Sequence, residues 1–192
     1  MKLVGLLLAA GAATRFGSDK LRHNLPHGVA IAVQAARHLK SELPRVIAVV
    51  SPAAQALAAE LRSEGCEIVV CENATDGMGA SLACAARAAG EVNGYVIALA
   101  DMPFVRRATI AAVRDALAKG APLAAPYFRA HRGHPVGISQ RFTEQLLALK
   151  GDEGAKALLA ANEREIVKIP VGDPGSVRDI DRPEDLAPPL RV

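Results

Sequence analysis

The chain reads as an α/β protein with a mainly parallel sheet covered on both faces by helices. Two observations predict this. Short apolar, β-branched runs alternate with alanine-rich stretches of helical length along nearly the whole sequence, the pattern that gives parallel strands buried between helices. At 192 residues, 51% of them hydrophobic and 22% charged, the chain suits one well-buried core and is short for two. Residues 1–192 are therefore read as a single domain.

The elements follow in order. Leu3–Leu8 is an apolar run and reads as the first strand. Val29–Leu39 reads as a helix and Val46–Val50 as the second strand. Ser51-Pro52 reads as an N-cap with proline at the first helical position, and Gly65 as the close of that helix. Ile68–Cys71 is the third strand, Ala80–Ala89 a helix entered through Gly77 and Gly79, and Tyr95–Ala100 the fourth strand. Thr109–Lys119 is a helix closed by Gly120. Leu123–Tyr127 and Pro135–Ile138 are short strands with Gly133 as the turn between them. Asp152 is expected to cap a helix running to about Asn162, and Ile166–Val171 is a late strand.

Composition excludes several function classes. No apolar run reaches the ~18 residues of a membrane-spanning helix, and the leading segment makes a poor signal peptide, so the cytoplasm is the expected location. Lys and Arg total 23 against 20 for Asp and Glu, scattered along the chain, and aromatics are 3% with no Trp. Stacking platforms for nucleic acid are scarce; a small anionic substrate suits the mild basic bias. The three cysteines lack Cys-x-x-Cys spacing and read as reduced thiols near the core. His23 and His27 are four apart, but Pro26 and Gly28 argue against a helix there, so they are not read as zinc ligands.

Chemistry concentrates in a few segments. After Leu6-Leu7-Leu8, the stretch Ala9-Ala10-Gly11-Ala12-Ala13 is a side-chain-poor turn, followed by Arg15, Gly17 and Lys20. Such a turn brings backbone N–H groups close to phosphate oxygens, and the two cations add charge. Its spacing matches neither a P-loop nor the dinucleotide fingerprint; an alanine-rich turn with solvated cations is the other reading. Asp101 ends a buried strand before Met102-Pro103, positioned for a hard cation or, more simply, for a turn. Asp179 and Asp181 alternate on an extended segment and share a face. Pro183, Glu184 and Asp185 then read as the start of a short helix. Gly77-Met78-Gly79-Ala80-Ser81 could admit a flat ligand to backbone, or form an ordinary helix entry.

In this order the segments resemble the nucleotidyltransferase family of molybdenum cofactor cytidylyltransferases and molybdopterin-guanine dinucleotide synthases. The markers are Leu8 to Gly11 with Arg15, Gly17 and Lys20; Gly79 to Leu82; Ala100-Asp101-Met102-Pro103; Arg132-Gly133-His134-Pro135-Val136; Gly151-Asp152-Glu153-Gly154; and Asp179-Ile180-Asp181 with Pro183 to Leu186. The resemblance implies a three-layer, Rossmann-like nucleotidyltransferase fold. It implies that Leu8, Ala9, Ala10, Gly11, Ala12, Arg15 and Lys20, with Gly79 and Ser81, hold the nucleotide. Arg15, Lys20 and Asp101 are then the catalytic groups, and Asp101 and Asp181 hold Mg²⁺. Arg132, His134 and Asp152 face the acceptor, with His131 a further candidate for an anionic acceptor.

Ala10 stands where the cytidylyl branch carries alanine and the guanylyl branch glycine, which favours CTP. The implied reaction is attack of the terminal phosphate of molybdenum-molybdopterin on the α-phosphorus of CTP, with release of pyrophosphate. Partners are the nucleoside triphosphate, a molybdopterin-type acceptor and, transiently, a molybdoenzyme or its chaperone. The family's lysine usually leads into a Pro-Leu-Leu approach, whereas Leu21 to Val29, with two histidines, intervenes here. GTP, a sugar phosphate or methylerythritol phosphate as acceptor, and a non-catalytic nucleotide-binding or cofactor-delivery role are the rival readings.

Overall fold

The computed structural model describes residues 1–11, 19–152 and 154–187. Its strands are β1 (Leu3–Leu8), β2 (Val46–Val50), β3 (Glu67–Val70), β4 (Gly94–Leu99), β5 (Leu123–Phe128), β6 (His131–Arg132), β7 (Val136–Ser139) and β8 (Ile166–Pro170). They form one sheet in the order β3-β2-β1-β4-β7-β5-β6, with β8 paired to β5. Strands β3, β2, β1 and β4 run parallel to one another, as does β8 to β5. Strand β7 lies antiparallel between β4 and β5.

The helices are α1 (Ile31–Glu42), α2 (Gln55–Ser63), α3 (Met78–Ala89), α4 (Arg107–Ala118), α5 (Thr143–Leu147) and α6 (Lys156–Ala161). The period-2 alternation of strand side chains divides the core into two layers. On one face Leu7, Ala48, Val50 and Val96 meet Ile31, Leu39, Leu61, Val113 and Leu117 of α1, α2 and α4. On the other, Leu6, Ile47, Val49, Tyr95 and Ile97 meet Leu82, Ala86, Leu146 and Leu158 of α3, α5 and α6. Burial on both faces explains why β1 and β2 are unbroken apolar runs.

Three local expectations are corrected, and one helix is added. Helix α2 starts at Gln55, because residues 51–54 first form a turn in which the Ala54 amide donates to the Ser51 carbonyl at 3.0 Å. The turn after β5 falls at Arg129 and Ala130, both with positive φ, and not at Gly133. Asp152 does not cap the following helix, which begins at Lys156 after Ala155. The helix from Thr143 went unforeseen, being too short to carry a periodic signal.

Strand order reverses beside β1, whose neighbours are β2 and β4. A doubly wound sheet opens a crevice at that point, at the carboxyl ends of its strands. The residues following β1 and β4 converge there. Beside β4, the chain pairs with β5 through β6 and again through β7. Residues 133–135, which include the cis His134–Pro135 bond, pass between these two ladders.

Candidate active site

The β1–β4 ladder continues for one residue past the strands, the Ala100 amide donating to the Leu8 carbonyl at 3.0 Å. On the other side Ala9 donates to Val49 at 2.9 Å. The chain is thereby held up to Ala9 and is exposed at Gly11. Among the described residues, a Cβ added to Gly11 would meet nothing within 4 Å. Ala12 and Arg15 lie outside the described residues.

Lys20 opens a 3-10 turn, Lys20–Arg22. Leu21 is buried in the core, and the His23 amide closes the turn on the Lys20 carbonyl at 3.1 Å. With its neighbour anchored, Lys20 is carried inward and is only 8% exposed. A buried ammonium needs paired charge. Its Nζ stands 3.0 Å from Asp101 Oδ2 and 3.4 Å from Asp181 Oδ1.

The segment 179–181 is attached through its middle residue. Ile180 is fully buried, and its amide donates to the Asp101 carbonyl at 2.9 Å. Asp179 and Asp181 flank it on the opposite face. Asp101, Asp179 and Asp181 each bring a carboxylate oxygen within 4.8 Å of the others. Asp185 secures this arrangement, its Oδ2 accepting from the amides of Asp181 at 3.1 Å and Arg182 at 2.9 Å. Those two backbone donors, the Arg182 amide foremost, hold the Asp185 carboxyl below its ordinary range. The Asp179 carboxyl is displaced upward, first by desolvation and then by the facing carboxylates of Asp181 and Asp101, against the pull of Lys20.

The donor set fits a hard divalent cation. All three groups are carboxylates, and neither thiol nor imidazole belongs to the cluster. Among the described residues of the cluster, three carboxylates face the one ammonium of Lys20.

A cavity of ≈ 660 Å³ adjoins the cluster and shares Asp179 with it. Leu99, Met102 and Val177 give it apolar walls, and Arg129, His131 and Arg132 of the β5–β6 hairpin line it with basic groups. His134 faces the same cavity. Its Nδ1 is buried and has no hydrogen-bond partner among the described residues. Burial pushes its pKa down to about 4, so the imidazole is neutral at physiological pH.

Asp173 holds the cavity's far wall. Its carboxylate is buried and accepts from the Arg106 amide at 2.8 Å, Thr109 Oγ1 at 2.6 Å and the Gly175 amide at 3.0 Å. Sequence reasoning missed Asp173 and read Asp185 only as part of a helix start and a family marker. Only the Asp173-Pro174-Gly175 turn chemistry marks the first. The acidic first turn marks the second.

Gly79 and Ser81 occupy the start of α3. The Gly79 amide donates to the Gly151 carbonyl at 2.7 Å, and a Cβ there would stand 2.6 Å from the Lys150 carbonyl oxygen. Close approach of the 150–152 loop thus already calls for this glycine. The Ser81 hydroxyl donates to the Gly77 carbonyl at 3.4 Å. Asp152 belongs with these residues: its Oδ1 lies where a Gly77 side chain would be. It does not line the cavity that Arg132 and His134 share. The three expected acceptor residues are therefore not one group, because the 150–152 loop is seated on α3.

The cysteines are free; Cys66 and Cys71 are buried and Cys84 is half-buried. Among the described residues no helix is long and apolar enough to cross a membrane.

Residues 5–166 match the family described as the MobA-like NTP transferase domain. The chain is similar to a Paenarthrobacter nicotinovorans protein named nicotine blue oxidoreductase, 28% identical over 96% of this chain and 94% of that one. It is similar to the Bacillus subtilis (strain 168) purine catabolism protein PucB, 29% identical over 95% of this chain and 93% of that one. Its fold is that of Rv0371c from Mycobacterium tuberculosis H37Rv, with a TM-score of 0.81 and 23% identity over 96% of each chain. That protein has also been solved in complex with manganese. The chain belongs to the MobA-like NTP transferase family, and is a nucleotidyltransferase by family.

Proposed function

We propose that this family member transfers CMP from CTP to the terminal phosphate of molybdenum-molybdopterin, releasing pyrophosphate, in the cytoplasm. The observation that carries the reading is the buried Lys20 ammonium held between Asp101 and Asp181 at the switch point of the sheet. It supports phosphate chemistry there, since the same few side chains can neutralise both a cation and phosphate oxygens. The Ala10 position supports CTP by resemblance. The apolar cavity with basic residues beside the carboxylates supports an anionic acceptor with a ring body.

An acceptor phosphate is already largely ionised at neutral pH, so no protein nucleophile is required. The protein's task is alignment and charge neutralisation. The turn after β1, from Leu8 through Gly11, presents backbone to the triphosphate. Lys20 and Arg15 neutralise the pyrophosphate as it departs. Asp101 and Asp181, with Asp179, would hold Mg²⁺, which supplies Lewis-acid stabilisation of charge on the α-phosphate when bound. Arg132 and His134 orient the acceptor from the cavity. Asp185 keeps Asp181 in place through its backbone amide.

The test is pyrophosphate release with Mg²⁺, molybdenum-loaded molybdopterin and each of the four NTPs in turn. Release with CTP alone, lost in Asp101→Ala, is the expected result. Release with GTP instead would overturn the base assignment. CTP binding without release would overturn the acceptor or the catalytic role. A second reading, oxidoreductase turnover, is favoured by the name of the nicotine blue relative alone. Nicotinamide-linked reduction of an electron acceptor, unaffected by Asp101→Ala, would support it.

A further inference from the structure

Lys20 is a cation already seated in the carboxylate cluster. Its Nζ is 3.0 Å from Asp101 Oδ2 and 3.4 Å from Asp181 Oδ1, in a side chain almost wholly buried. A small divalent ion sits about 2 Å from a carboxylate oxygen. Bound to the Asp101 oxygen that Lys20 already contacts, it would lie no more than about 5 Å from the ammonium. Two positive charges that close repel in a partly buried site. The backbone of Lys20 cannot retreat, because Leu21 is anchored in the core and the turn is closed by the His23 amide. Only the side chain can swing, and away from the carboxylates it needs another anion.

We infer that Lys20 is an internal counter-ion that keeps the cluster closed to a bare divalent cation, and that triphosphate oxygens draw it off. Metal and triphosphate then bind with positive cooperativity: each removes the obstacle to the other, and the coupling is reciprocal. The inference rests on the proposed reading of the cluster as the metal site, and it adds the order in which that site fills. The unliganded chain binds little metal; the triphosphate carries the metal in.

The experiment titrates Mn²⁺ into the intact chain at neutral pH, following loss of the free-ion electron paramagnetic resonance signal. Wild type and Lys20→Met are compared, each with and without inorganic triphosphate, with affinities corrected for Mn²⁺ bound by the free triphosphate. Lys20→Met is expected to bind bare Mn²⁺ at least tenfold more tightly than wild type. Triphosphate should raise Mn²⁺ affinity in the wild type and leave it nearly unchanged in the variant. Equal or weaker binding of bare Mn²⁺ by folded Lys20→Met would overturn the inference. Lys20→Gln is the second variant should the methionine protein not fold. In the wild type itself, triphosphate without metal should shift the Lys20 side-chain ¹³Cε resonance, and an unmoved signal would also overturn it. Inorganic triphosphate carries no base and no acceptor is present, so a wrong nucleotide or acceptor leaves the result unaffected. If Asp101→Ala and Asp181→Ala leave Mn²⁺ binding unaltered in both backgrounds, it is the metal-site reading that has failed.

Discussion

The His134 amide donates to the Ser176 carbonyl at 2.7 Å, joining the segment between β6 and β7 to the turn that Asp173 organises. Gly133 makes this possible: a Cβ there would collide with the Ser176 carbonyl oxygen and stand 2.9 Å from its Oγ. Both contacts are to a wall that cannot yield, since Ser176 is fully buried and its hydroxyl donates to the Asp173 carbonyl at 2.7 Å. Gly133→Ala should cost about 2 kcal/mol and lower the melting temperature by roughly 5 °C. Thermal denaturation by circular dichroism checks this, and an unshifted melting point would mean that the wall gives way.

Asp101→Ala and Lys20→Ala should each lower turnover by on the order of 10²-fold or more, the usual loss on removing one electrostatic stabiliser. The two differ in metal binding. The first should weaken Mn²⁺ affinity, while the second should strengthen it for the bare ion. Steady-state pyrophosphate release paired with Mn²⁺ titration distinguishes them.

His134 makes stability depend on pH. Its folded pKa of about 4 lies below the ordinary 6.5 because burial disfavours the charged imidazolium. Between those values the unfolded chain binds the extra proton, so stability is full above pH 6.5 and falls as pH drops toward 4. The loss attributable to this residue is up to about 3 kcal/mol. His38 has the same sign, being likewise lowered chiefly by burial. Urea unfolding from pH 7 to pH 4 should show a shallower decline in His134→Gln than in wild type. Parallel profiles would disprove the assignment.

Asp179 has the opposite sign. Desolvation and two neighbouring carboxylates raise its pKa, so its ionised form is disfavoured in the fold and detracts from stability above the ordinary carboxylate range. Asp179→Asn should therefore melt higher than wild type at pH 7.5 in the presence of a chelator. The difference should vanish in acid, where the carboxyl is protonated in both states. A lower melting point at pH 7.5 would show that the charge is stabilising.

The fold was legible wherever a run was long and periodic. The strands Leu3–Leu8 and Val46–Val50 fall where their apolar runs lie, since both faces are covered and every position but the ends of the first, Leu3 and Leu8, is buried. The antiparallel insertion of β7 was not legible, because four residues fix neither direction nor partner. At the site, Asp101 and Asp181 announce themselves by standing at the end of a strand and on an alternating acidic segment. Their joining by Lys20 depends on a turn that carries no periodic pattern. Asp152 was grouped with His134 because both lie in recognisable segments, yet its loop is seated on α3, a contact between distant parts of the chain that local pattern does not encode. Asp173 is the reverse case: an unremarkable residue in a Pro-Gly turn that tertiary packing makes central.

The hydrogen bond from Ile180 to Asp101 has a consequence for biosynthesis. Residues 179–181 follow every strand of the sheet in chain order, and they lie beyond the span matched by the family model. During translation every strand of the sheet is synthesised before two of the three carboxylates exist. A nascent chain or a fragment stopped after β8 would have the crevice without the means to fill it. On the proposed reading of the cluster as the metal site, competence arrives only with the segment that closes it.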